Sequence, residues 1–160
     1  VYKMALCLTK KMIDDIEAVT TGLNKCAFSA KLPTNQSVPA STTKVLYNVI
    51  DDDGGYFVDF NSRFYAPKDG YYFFMASVEG TVEANKWLTL SLCTNSVEIF
   101  AIAGSDITHA AEWKRVVVFG MKHLTYYEHV SVNTVHNCTA NVTLESDRSF
   151  FTGFSVYTGS

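Results

Sequence analysis

DDGGYFVDFNSRFYAPKDGYYFF, residues 52 to 74, is the stretch on which the reading of this chain turns. Two aromatic-rich apolar runs, Tyr56–Phe60 and Tyr71–Met75, lie between breaks that carry Gly, Asp and Pro. That pattern predicts short strands joined by tight turns. The second run is apolar on both faces, because side chains alternate along a strand. Tyr72 and Phe74 point one way, and Tyr71, Phe73 and Met75 the other. An antiparallel strand ordinarily shows one face to water. This one needs a second cover, either another sheet or another subunit.

Strand signals continue on both sides of this stretch. Val45–Ile50 reads as a strand running into a turn at Asp51–Gly55, and residues 31–43, with Pro33, Pro39 and many Ser and Thr, read as a connecting loop. In Trp87–Cys93, Leu88, Leu90 and Leu92 alternate with Thr89 and Ser91, the pattern of a half-buried strand. Val97–Ala103, Arg115–Met121, a run beginning at Val130, and Phe150–Tyr157 complete the set. Eight to ten short strands without an internal helix predict an all-β sandwich or barrel over residues 25–160. Residues 1–24 differ. Met12, Ile16, Val19 and Leu23 fall at the spacing of a coiled-coil seam, with Gly22 as a helix stop. They predict a short helix, either an oligomer stalk or a helix packed on its own domain, and the stalk is the expectation carried forward.

The order Asp52, Phe57, Phe64, then Gly70-Tyr71-Tyr72-Phe73-Phe74, resembles the signature of the C1q globular domain, a trimeric jelly roll related to the tumour necrosis factor fold. Leu46 stands where that signature has its first Phe, and Ala76 where it has its last aromatic. Cys26–Ala30 is similar to the family's first strand and Phe151–Tyr157 to its closing strand, while Ala103–Thr108 resembles a loop of cerebellin-type members. The resemblance implies a jelly-roll β-sandwich assembled as a homotrimer. Tyr71, Tyr72, Phe73, Phe74 and Met75 are then the candidate subunit interface, one face of the strand or the other being covered by a neighbour.

The resemblance also implies a function. It points to a secreted recognition protein whose three identical apical surfaces bind glycans, microbial surfaces or a receptor by avidity, in a lectin-like or innate-immune role. The alternatives it leaves open are a cerebellin-like ligand bridging receptor ectodomains and a structural matrix glycoprotein. Recognition loops fall at Gly104–Glu112 and His136–Asp147, at the end opposite the stalk, so Asp106, His109 and Glu112 are the candidate ligand-binding residues. Some family members hold calcium at the trimer apex with acidic side chains. Asp106 stands alone among such positions, so calcium as a cofactor would require three copies of Asp106 pooled about a three-fold axis. Cys7, in the stalk, is either an interchain bond linking subunits into larger oligomers, as in cerebellin-like proteins, or an unpaired thiol.

Composition narrows the remaining classes. Of 160 residues 18% are charged and 14% aromatic, with a net charge of −3, so the surface is less charged than usual, as suits a chain that buries faces in an oligomer. No Lys/Arg stripe points to nucleic acid, and no run is long enough for a transmembrane helix. Val1 rather than Met opens the chain, the expectation for a leader already removed. Sequons at Asn35, Asn137 and Asn141 are candidate glycosylation sites and support an extracellular location. Cys7, Cys26, Cys93 and Cys138 are disulfide candidates that allow three intrachain pairings, while Cys93 and Cys138 also suit small buried positions. No nucleophile elbow, zinc-protease motif, Cys-x-x-Cys or phosphate-binding glycine loop occurs, and the four His lack metal-ligand spacing, so the expectation is a protein that is not an enzyme. Asp51–Asp53 before Gly54-Gly55 reads as a solvated turn rather than a calcium loop.

Overall fold

In the computed structural model, which describes residues 26–158, the backbone is strand and turn. The strands are β1 Ala27–Lys31, β2 Gln36–Val38, β3 Thr43–Lys44, β4 Asn48–Asp52, β5 Phe57–Val58, β6 Arg63–Tyr65 and β7 Gly70–Val82. They continue as β8 Leu88–Thr94, β9 Glu98–Gly104, β10 Glu112–Leu124, β11 His129–His136, β12 Val142–Leu144 and β13 Phe150–Thr158. One sheet runs β2-β12-β7-β13-β1-β4, with β10 on the other edge of β7; the second runs β5-β6-β11-β8-β9, with β3 also on β11. All pairings are antiparallel. The two sheets face each other as a jelly-roll sandwich, the expected all-β class. The expected stalk and its helix, with Cys7, lie outside the described residues.

Three strand boundaries differ from the expectation, each for a packing reason. Val45–Ile50 is not one strand. β3 belongs to one sheet and β4 to the other, and between them Val45 and Tyr47 turn into the core. There the Tyr47 hydroxyl donates to Ser77 O at 3.0 Å, and Ser62 Oγ donates to Tyr47 O at 2.8 Å. The Tyr56–Phe60 run keeps only Phe57–Val58 as strand before a 3-10 turn at Asp59–Asn61, closed by Ser62 at φ 48°. The loop at 31–43 contains β2, which pairs β12.

Between the sheets lies an aromatic cluster. Phe28 stacks on Phe57 and Phe64, each at 5.1 Å, and meets the edge of Phe151 at 4.9 Å. Phe74 contacts Phe64 at 5.4 Å. Opposite this cluster the closing strand carries Gly153, where a Cβ would stand 2.6 Å from the Phe74 ring and 2.7 Å from Phe28. Only glycine lets β13 approach so closely.

The register defines the two ends of the sandwich. β7 and β10 pair along their whole length, from Gly70↔Leu124 to Val82↔Glu112, and β13 reaches Gly70 with Thr158. The chain therefore enters at Cys26 and leaves at Thr158 on the Gly70 end. The links after β7, β9 and β11 gather at the opposite end.

Candidate functional site

The links gathered at the far end are Glu83–Trp87, Ser105–Ala111 and Asn137–Asn141, and they are knitted together by hydrogen bonds. Asn85 N donates to Thr108 O at 2.7 Å, and His109 Nδ1 lies 3.1 Å from Asn85 Oδ1. Trp87 N donates to Asn137 Oδ1 at 2.8 Å. Glu83 accepts from Thr139 N, Thr139 Oγ1 and Ala140 N, at 3.1, 2.7 and 2.9 Å. These donors, with the Ala140 amide first, hold the Glu83 carboxyl down at about 2.

Asp106, His109 and Glu112 all sit at this end and are exposed, but no contact joins them. His109 faces Asn85, and Glu112 pairs with Lys114. The Lys114 ammonium, with Thr108, keeps the Glu112 carboxyl below its ordinary range. Among the described residues no group of three or more His, Cys, Asp or Glu is placed to hold a metal ion.

The sequons behave unequally. Asn141 is exposed, with Nδ2 3.2 Å from Ser37 Oγ. Asn35 is exposed but engaged at both ends, donating to Glu145 Oε2 at 3.1 Å and accepting from Ser146 N at 2.9 Å. Asn137 is half-buried, its carboxamide oxygen accepting from Trp87 N. The disulfide expectation is corrected for three cysteines: Cys26, Cys93 and Cys138 are free and buried. Burial, with Asp52 and Asp53 nearby, pushes the Cys26 thiol up to about 12, where little reactive thiolate exists at neutral pH. Cys93 packs beside Ser91 and Asn133, and Cys138 N donates to His136 Nδ1.

An apolar surface lies on the outward face of the β10-β7-β13 sheet. Of the five residues expected at a subunit interface, Tyr72 and Phe74 are corrected: both are fully buried in the core of their own sandwich. Their face is already covered by the second sheet. Tyr71, Phe73 and Met75 point the other way. Register places Phe154, Phe73 and Met121 side by side across three strands, with Met75 beside Phe119 and Tyr71 beside His123. Phe73 lies 5.2 Å from the Phe154 ring and 6.4 Å from that of Phe119, and Tyr71 meets His123 edge-on at 4.9 Å.

Phe119 is 66% exposed and Met121 59%, with Tyr71, Val117, Phe154 and Val156 also open. Separately, β9, the edge strand of the second sheet, carries exposed Ile99 and Ile102. Sequence reasoning found the β7 part of the outward face and missed the β10 and β13 parts. The signal was present in Arg115–Met121, which is apolar at every position from Val116 to Met121 except Gly120, and so, like β7, carries apolar side chains on both faces. Above the apolar rows, buried Glu79 accepts from Arg115 Nε at 2.9 Å and Arg148 Nη1 at 3.1 Å, giving the face a charged upper border.

A family profile described as C1q domain matches residues 27–156. Among solved structures the chain is similar to the globular domain of zebrafish complement 1qA protein, at 17% identity and a TM-score of 0.65, covering 84% of this chain and 99% of that one. It is similar to murine APRIL at 12% identity and a TM-score of 0.65, covering 83% and 100%. It is also similar to Eiger TNF from S. frugiperda at 9% identity and a TM-score of 0.61, covering 85% and 95%. No curated protein sequence matches the chain.

Proposed function

This chain belongs to the C1q domain family, and on that premise we propose that it acts as a secreted homotrimeric recognition protein, binding glycans or other surface ligands through three identical copies of a weak site. One observation carries the reading: the apolar outward face of β7, β10 and β13, with Phe73, Phe119, Met121 and Phe154. Each aromatic or Met taken out of water is worth roughly 1.5–3 kcal/mol. A face of this kind on a lone protomer favours association. In a closed three-membered ring the contact is heterologous, one surface of a chain meeting a different surface of the next. Here the sheet face would receive the β9 edge, with Ile99 and Ile102, of the neighbouring copy.

Three parallel sites on one rigid body raise avidity by orders of magnitude over a single site, which suits arrayed ligands on a surface. An extracellular setting is supported by the exposed sequon residues Asn35 and Asn141. Among the described residues no helix is long and apolar enough to cross a membrane. The experiment is a glycan array probed with the secreted protein, with and without calcium, after light scattering has fixed its mass. A trimer that binds arrayed glycans and loses binding when made monomeric supports the reading. A monomer, or a trimer silent on the array, contradicts it.

A further inference from the structure

A concavity lies at the end where the described chain enters, away from the apical loops. It is a cleft of about 420 Å³, within the size range of small-ligand sites. Tyr56, Phe60, Tyr65, Tyr126, Tyr127 and Asn61 supply its chemistry. Phe60, Tyr126 and Tyr127 are largely exposed, and rings run in sequence along it, Tyr126 to Tyr127 at 5.9 Å and Tyr127 to Tyr65 at 5.1 Å. Main-chain bonds fix this wall. Tyr65 N donates to Tyr56 O at 2.8 Å, Tyr127 N to Ala66 O at 2.8 Å, and Tyr126 N to Asp69 Oδ1 at 2.6 Å. Tyr127 itself is held at φ 69°, a conformation that costs free energy and is kept only where the surroundings impose it.

Two lining residues also touch a cluster of cations on the outward face of the second sheet. The Tyr65 ring lies 5.5 Å from His129, and Asn61 O accepts from Lys44 Nζ at 3.3 Å. Arg63 donates from Nη2 to Ser96 Oγ at 2.8 Å, and the same oxygen lies 3.0 Å from His129 Nε2. Among the described residues no carboxylate stands within ion-pair distance of Arg63 or Lys44. Glu128, the nearest acid in sequence to His129, is occupied by Thr125 N at 2.7 Å and Asn95 Nδ2 at 2.9 Å. At the junction of cleft and cluster, Arg63 Nε and Asn61 Oδ1 are buried without a hydrogen-bond partner. Burial first, and then the charge of Arg63, lowers the Lys44 ammonium from its ordinary value; burial, Arg63 and Lys44 do the same to the His129 ring, against a smaller opposing pull from Glu128. Lys44 and Arg63, with no ion-pair partner among the described residues, favour an incoming anion.

We infer that the tyrosine cleft with Lys44, Arg63 and His129 beside it is a binding site for an acidic saccharide, its ring lying against the tyrosines and its anionic group turned toward Lys44 and Arg63. Tyrosine suits the first task, offering a flat apolar face with a polar tip. Among the described residues the hydroxyls of Tyr56, Tyr126 and Tyr127 have no protein partner and can meet sugar hydroxyls. Arginine suits the second, since its planar fork matches a carboxylate or sulfate with two parallel hydrogen bonds. The inference rests on the recognition reading above and gives it a ligand class and a place.

The test is calorimetric titration of the full secreted chain with a sialylated trisaccharide, a sulfated disaccharide, lactose and phosphocholine. The expected result is at least tenfold tighter binding of one or both acidic sugars than of lactose, the two acidic probes separating a carboxylate from a sulfate. Arg63→Gln should abolish that preference at unchanged subunit mass. His129→Gln, on a different strand, should weaken it in the same direction and serves as the second readout if Arg63→Gln fails to fold. Tyr126→Ala should weaken acidic and neutral sugars alike. Equal affinity for lactose and the acidic sugars, or binding of phosphocholine alone, would overturn the inference. A trimer that still binds arrayed glycans unchanged in Arg63→Gln and Tyr126→Ala overturns this site and leaves the recognition reading standing. Silence on array and titration together overturns both.

Discussion

The two outward faces of the sandwich differ as sharply as its two sides can. Beyond β7, β10 and β13 stand Tyr71, Phe73, Val117, Phe119, Met121 and Phe154, an apolar surface with no covering element among the described residues. Beyond β3, β6 and β11 stand Lys44, Arg63, His129 and Asn133, whose polar groups hydrogen-bond to neighbouring turns and strands. The same alternation rule builds both faces, since each strand sends every second residue into a common core. What differs is the company the remaining residues are made for. One face is built to leave water and the other to stay in it.

Adjacent residues on β7 give the most severe way to break that contrast. Phe74 points into the core, so Phe74→Ala should lower the stability of the fold by about 3–5 kcal/mol through lost burial and a cavity, read as a large drop in the denaturant midpoint. Phe119→Asp addresses the outward face instead. It should leave the circular dichroism of the sandwich intact and remove roughly 1.5–3 kcal/mol per subunit contact together with the cost of burying a charge, so that the mass falls to that of one chain. Unchanged mass in Phe119→Asp would mean the face is covered in some other way.

A smaller effect comes from the charged border. Removing the buried carboxylate in Glu79→Ala should cost about 1.5–3 kcal/mol, the worth of hydrogen bonds to a charged group, and less to the extent that Arg115 and Arg148 remain solvated. Thermal denaturation of the secreted protein would measure it. The smallest is local to the apical loops. The Glu83 carboxyl is held at about 2, below its ordinary 4.5. Its contribution is therefore present above pH 4.5 and is lost as pH falls toward 2. The hydrogen-exchange protection factors of the Thr139 and Ala140 amides should fall over that window, and Glu83→Gln should flatten the pH dependence.

The fold was legible because its signals are local. Aromatic runs between Gly, Asp and Pro breaks marked β5 and β7, and the Leu88–Leu92 alternation marked β8. Strand boundaries were less so where the chain changes sheet, at Val45–Tyr47, since that crossing is decided by Tyr47 reaching Ser77 across 30 positions. Half of the outward face was readable from the doubly apolar β7. Which half of Tyr71–Met75 faced outward was not, because alternation fixes opposition and not direction. The tyrosine cleft was invisible in sequence order. It joins the turn after β4, the links flanking β6 and the Tyr126-Tyr127 turn, segments that meet only when β6 pairs β11. The free state of Cys26, Cys93 and Cys138 likewise follows from where the strands carry them and not from their number.

Sedimentation equilibrium of the secreted chain at micromolar concentration, with glycans trimmed, tests the central claim most directly. The account predicts a single species of three chains, about three times 17.8 kDa, that Phe119→Asp reduces to one. A stable monomer with Phe73, Phe119 and Phe154 left in water would contradict it.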